Sequence, residues 1–116
     1  MSIQGSSNAP SAKRAAPPTV APVEIGELRF SAIHWGRERN FGQNGGYIAA
    51  HDRRTGTELW TLKIYNVDYD PELEQDVQDV FIKKLSKTLW GGLLKIADEG
   101  GRQYRVDPKT QTVTTL

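Results

Sequence analysis

The constraint that most limits this chain is the segment Gly46-Tyr47-Ile48-Ala49-Ala50-His51-Asp52-Arg53-Arg54-Thr55-Gly56-Thr57-Glu58-Leu59-Trp60, which reads as a β-hairpin. Asp52 can accept turn amides, Gly56 suits a left-handed backbone position, and the flanking residues have strand character. A weaker copy closes the chain. Tyr104-Arg105-Val106-Asp107-Pro108-Lys109-Thr110-Gln111-Thr112-Val113 repeats the order strand, Asp, two residues, Thr, turn residue, return strand, with Gln111 where Gly56 stood. A chain written this way is built from antiparallel pairs.

Length and charge set the frame. At 116 residues, one small domain is expected. Fifteen basic and fourteen acidic residues give a net charge of +1 and no global field toward nucleic acid or anionic membrane. There is no cysteine, which removes disulfides, thiolate nucleophiles and cysteine metal sites. Residues 1–22 are rich in Ser, Ala, Pro, Gly and Asn and are expected to be a disordered tail. Without its Lys13 and Arg14, the 15 basic residues fall to 13 against 14 acidic, so the folded part, 23–116, is not basic. No apolar run approaches the length of a transmembrane segment, and prolines interrupt the only leader-like stretch, so a soluble, cytoplasmic chain is expected.

From Glu24 the pattern is mainly β. Leu28, Phe30 and Ala32 alternate with Arg29, Ser31 and Ile33, and the glycine- and asparagine-rich segment Gly36 to Gly46 reads as an exposed loop. Tyr47 to Asp52 is a strand, and in the next one Trp60, Leu62 and Ile64 form the apolar face, with Trp60 directed at the core. Asp70-Pro71-Glu72 has the features of a helix start. Leu73, Val77, Val80, Phe81 and Leu85 lie at helical spacings, whereas Val80-Phe81-Ile82 favours a strand. The expected arrangement is a small antiparallel sheet or partly open barrel of about six strands with one short helix. Its last strands are Leu93 to Asp98, Arg102 to Asp107 and one around Val113.

The motif Gly46 to Asp52, then Thr55-Gly56 and Trp60, resembles the repeat of quinoprotein-type (PQQ-like) β-propellers, in which a strand ends in Asp, a Thr-Gly turn follows and a Trp opens the return strand. The resemblance covers one hairpin well and a second weakly. It implies related hairpin construction only: a closed propeller needs at least four blades of about 40 residues, and no quinone-binding residues are present. No cofactor is expected. Through Tyr69-Asp70-Pro71-Glu72-Leu73 and Asp76-Val77-Gln78-Asp79-Val80-Phe81-Ile82 the chain also resembles small uncharacterised bacterial β proteins, a likeness that implies no activity.

Four groups of residues are candidates for function. Trp35, Arg37, Arg39 and Phe41 place two guanidiniums between two aromatics on the glycine-rich loop, with Arg53 and Arg54 of the hairpin tip as possible additions. Such a surface suits a protein hot spot or a single-stranded nucleic-acid contact; the alternative is a solvated loop with Trp35 as a core plug. The acidic run Asp68, Asp70, Glu72, Glu74, Asp76 and Asp79 has Leu73 where a calcium loop needs glycine, and reads better as a charged helix face. His34 and His51 lack a third ligand, so no metal is expected, and Ser86 and Thr88 lack a nucleophile motif, so catalysis is not the expected activity. Trp90, beside Gly91-Gly92, is either an exposed anchor or the lid of a small core, and the lid is preferred. The expected function is a non-catalytic module that binds a protein partner or self-associates, with nucleic-acid binding second and a small-ligand or enzymatic pocket third.

Overall fold

The computed structural model describes residues 16–116. Eight strands are found among them: β1 Val23–Ile25, β2 Leu28–Ile33, β3 Tyr47–Asp52, β4 Glu58–Lys63, β5 Ile82–Lys87, β6 Leu94–Asp98, β7 Gln103–Asp107 and β8 Thr112–Thr115. They form two four-stranded antiparallel sheets in simple sequential order, β1 to β4 and β5 to β8. The mainly β expectation is met. The six strands in one sheet or barrel are corrected to eight in two sheets, because each Asp-led turn sends the chain back beside the strand it has just left.

The expected short helix is also corrected. After Asp70 the chain makes one turn, with Leu73 N–H donating to the Asp70 carbonyl, and later a three-residue 3-10 segment, Asp76–Gln78. Gln78 Nε2 donates to the carbonyls of Asp70, Leu73 and Glu74, acceptors that a helix would use itself. Leu73 remains 59% exposed, so no apolar face compensates the ordering of a helix. The acidic carboxylates therefore lie on turns and not along a helix face.

One core joins the sheets. Phe30, Ile48, Ala50 and Ile64 come from the first half, and Ile82, Leu85, Leu94, Ile96, Tyr104 and Val106 from the second. The register explains the selection: Phe30 lies opposite Ala50, Ala32 opposite Ile48, Ile96 opposite Tyr104 and Leu94 opposite Val106, so alternate residues of each strand share the inner face. Each fully buried Ile, Leu or Phe contributes roughly 1.5–3 kcal/mol relative to exposure. Trp60 packs against this core with its ring edge-on to Phe30 at 5.9 Å, and β5 lies beside β1 and β2.

Two bulges break the alternation. Ala50 pairs with Trp60 but His51 pairs with Glu58, which leaves Leu59 unmatched and 51% exposed. In β5, Ile82 faces Asp98 and Lys84 faces Ala97, which leaves Lys83 without a cross-strand neighbour. Ile82 and Leu85 can then both point inward although they are three residues apart.

The expected tail, 1–22, falls at residues 1–15 outside the described residues. Its last part has contacts with the body: the Pro18 carbonyl accepts from His34 Nε2 at 2.8 Å, and Val20 packs against the core. No helix among the described residues is long and apolar enough to cross a membrane.

Candidate functional site

The strand order gives the molecule two ends. At one lie the β1–β2, β3–β4, β5–β6 and β7–β8 turns; at the other lie the loop 34–46, the connection 64–81 and the turn 99–102. The sequence candidates are divided between these places, and most of their charged groups have partners within the chain.

Arg39 and Arg53 belong to a row of charges crossing the outer face of the first sheet. Glu24 lies opposite Arg29, Arg29 opposite His51, and His51 opposite Glu58. Arg39 holds Glu58 through two guanidinium bonds of 2.7 and 3.3 Å, while Glu24 lies 3.5 Å from both Arg29 Nε and Arg53 Nε. The Arg39 hydrogen bond pulls the Glu58 carboxyl below its usual range, and Glu58 in turn raises the guanidinium. Arg53 also donates to the Gly26 carbonyl. Arg39 reaches this row because the loop 36–41 folds back over the sheet, with Phe41 against Tyr47 at 4.6 Å between ring centres. The exposed loop expected from composition is thus partly a cover: Tyr47 and Ala49 beneath it are 7% and 1% exposed.

Trp35 and Arg37 take part in a different cluster, at the junction of the sheets. Trp35 meets the edge of Phe81 at 5.8 Å and keeps about half its surface exposed, so it is not a core plug. The Arg37 guanidinium lies over the Tyr69 ring at 4.7 Å. Tyr69 donates to Asp79 Oδ1 at 2.6 Å, and Asn44 Nδ2 to Asp79 Oδ2 at 3.1 Å. Burial, then the Asp79 carboxylate, pushes the Tyr69 hydroxyl up to about 12. Below this, buried Gln43 donates to the carbonyls of Gly45 and Tyr65 and accepts from Val67 N–H. Gly36 is needed where the loop closes, since a Cβ there would lie 2.3 Å from the Gln43 carbonyl oxygen. Gln43, Asn44 and Tyr69 were not among the sequence candidates, and Asp79 was one only as part of the acidic run, because their roles depend on segments 10 to 35 residues apart.

Arg54 sits at the β3–β4 tip, its backbone N–H and that of Thr55 bound by Asp52 Oδ1. These bonds hold the Asp52 carboxyl below its usual range, the Thr55 bond being the larger cause. Arg39 of the loop and Arg53 of the tip thus share the charged row, whereas Trp35 and Arg37 lie apart from it against Phe81 and Tyr69. His34 and His51 are also separated, the first against Phe81 and the second near Glu58, and His34 Nδ1 is buried without a hydrogen-bond partner among the described residues.

Trp90 corrects the expected lid. It is 82% exposed and Leu89 is 84% exposed, on the β5–β6 turn. Thr88 fixes the turn: its Oγ donates to the Trp90 carbonyl and accepts from Leu93 N–H, while its N–H donates to the Leu93 carbonyl. With Gly91 and Gly92 in left-handed conformations, the two large side chains point away from the core. Behind the tip is a mostly apolar groove of about 330 Å³ whose walls include Ile25, Leu28, Gly91, Gly92, Pro108 and Lys109.

A second hollow, of about 430 Å³, lies between the sheets beside Tyr65, Gln78, Arg102 and Tyr104. The tyrosine rings stack at 5.2 Å, and their hydroxyls donate to the Val80 carbonyl and to Asp98. Burial raises both, Tyr104 to about 12. No group of three or more His, Cys, Asp or Glu is placed to hold a metal among the described residues. Comparison with known protein families, curated proteins and solved structures gives no match.

Proposed function

We propose that this chain is a non-catalytic interaction module that acts by binding protein, a second copy of itself first. The observation that carries this reading is the adjacent pair Leu89 and Trp90, more than four-fifths exposed on a turn whose backbone is held by Thr88. Trp is among the residue types that dominate protein contacts when surrounding contacts exclude water, and Leu89 extends the apolar surface beside it. Contact through the loop is confined to Trp35 and the rim around it, since Arg37 and Arg39 already lie on Tyr69 and Glu58. That commitment also makes single-stranded nucleic acid the weaker reading, because phosphate contacts would compete with Glu58 and Glu24 for the same guanidiniums.

The quinoprotein-type hairpin belongs to this proposal as a construction element. Asp52 and Asp107 open equivalent turns in the two sheets, so the repeat supplies register and places the tips. The test is light scattering of the full chain over a wide concentration range. The reading expects an average mass that rises with concentration; a strict monomer up to about 1 mM, where contacts worth only about 4 kcal/mol already register, contradicts self-association.

A further inference from the structure

One end of the molecule is acidic, the outer face of the second sheet presents a pair of bases toward the other end, and exposed apolar side chains accompany both. Between Asn66 and Asp79 there are six carboxylates and no Lys or Arg, with Leu73 59% and Val77 43% exposed among them. Asp79 is buried in the Tyr69 and Asn44 cluster; the other five lie on the turns at that end. The opposite end carries Leu89 and Trp90 on the β5–β6 turn, with Lys87 at the end of β5 and Lys109 on the wall of the groove behind them. On the adjoining outer face, Lys95 and Arg105 stand directly opposite each other, both exposed. Like charges in that position destabilise a sheet, and a carboxylate placed between them removes the penalty. The acids at this end are Glu27, Asp52 and Asp107; Asp52 is engaged by the Arg54 and Thr55 N–H groups, and one Asp107 oxygen by Lys109 N–H.

The two patches cannot cover one another within a chain. They lie at opposite ends of β5, whose six residues Ile82–Lys87 span about 20 Å. Between chains the match is direct, because acid with Leu73 and Val77 meets base with Leu89, Trp90 and the groove.

We propose that the turn segment 68–77 of one copy docks on the Leu89–Trp90 end of the next, its carboxylates reaching Lys95 and Arg105, so that copies associate head to tail. This rests on the self-association reading above. A contact between two different patches is heterologous: it leaves one free patch at each end and continues into chains or closes into a ring.

The experiment uses two charge-reversed full-length variants, Lys95→Glu with Arg105→Glu and Glu72→Lys with Glu74→Lys, all at exposed positions, with circular dichroism and melting to verify folding. Each variant alone is expected to stay at the monomer mass where the parent chain associates. Their equimolar mixture is expected to regain association, since the two unreversed patches are complementary and so are the two reversed ones. A variant that associates alone like the parent, or a mixture that stays monomeric while the parent associates, overturns the head-to-tail contact and leaves self-association by another surface. A parent chain that is itself monomeric throughout removes the underlying reading as well. Should either variant fail to fold, salt provides the second measurement: raising it from about 0.05 to 0.5 M is expected to weaken the parent's association roughly tenfold, and association that is unchanged or tighter overturns the proposal.

Discussion

Gln111 occupies in the last hairpin the backbone position that Gly56 occupies in the first, with φ of 58° and 80° respectively. The surrounding bonds match as well. Gly56 N–H donates to the Asp52 carbonyl at 2.7 Å and Gln111 N–H to the Asp107 carbonyl at 2.8 Å, and in each turn the Thr before it bonds the Thr after it. A side chain in this conformation carries a steric penalty that glycine avoids. Gln111→Gly is therefore expected to stabilise the protein by about 0.5–1 kcal/mol, and Gly56→Gln to destabilise it by a similar amount, measured by denaturant unfolding.

Gln43 is expected to be a costly polar position to lose. Its amide satisfies two carbonyls and one N–H, and the residue is 4% exposed. Gln43→Ala strands these groups and should cost about 2–3 kcal/mol. Arg39→Ala removes an exposed pair and should cost about 1 kcal/mol or less. Urea unfolding of both variants gives the contrast; equal losses would contradict the distinction between the buried junction and the outer row.

The Arg39–Glu58 pair also sets an acid dependence. Glu58 has its carboxyl lowered by Arg39, so the stabilisation it brings is present above the unfolded carboxylate range, near pH 4, and is lost as pH falls through the lower folded value. The melting-temperature gap between the parent chain and Glu58→Gln should be largest near neutrality and shrink on acidification below about pH 4.

Tyr69 and Tyr104 give the opposite dependence. Both hydroxyls are pushed up to about 12, so their contribution is complete below the unfolded tyrosine value near 10 and is lost as pH rises toward 12. Absorbance titration of the native chain should show late phenolate steps, one of which disappears in Tyr69→Phe and another in Tyr104→Phe.

Much of the fold was legible because the strand ends are marked by local chemistry. Asp52 and Asp107, each followed by Thr, announce their turns, and the Gln111 correspondence was visible before any backbone angle. The connection 66–81 and strand β5 were harder. Leu73, Val77, Val80, Phe81 and Leu85 imitate helical spacing, while the Lys83 bulge breaks the strand alternation by putting Ile82 and Leu85 on one face, and Asp70-Pro71-Glu72 imitates a helix start that Gln78 then closes as turns. The candidate surface was read less well. Arginine content identified the loop and tip, but intramolecular partners such as Glu58 for Arg39 and Tyr69 for Arg37 are decided by tertiary pairing. Trp90 illustrates the same limit: its hydrophobicity suggested a lid, and only the Thr88 bonds and two left-handed glycines turn it outward.

The most direct test of that outward tip is sedimentation equilibrium of the parent chain beside Leu89→Ser with Trp90→Ser. At sites this exposed the double change should alter stability by no more than about 0.5 kcal/mol. Association seen in the parent is expected to be lost in the variant while its melting temperature is kept. A stably folded variant that associates as strongly as the parent would contradict that expectation.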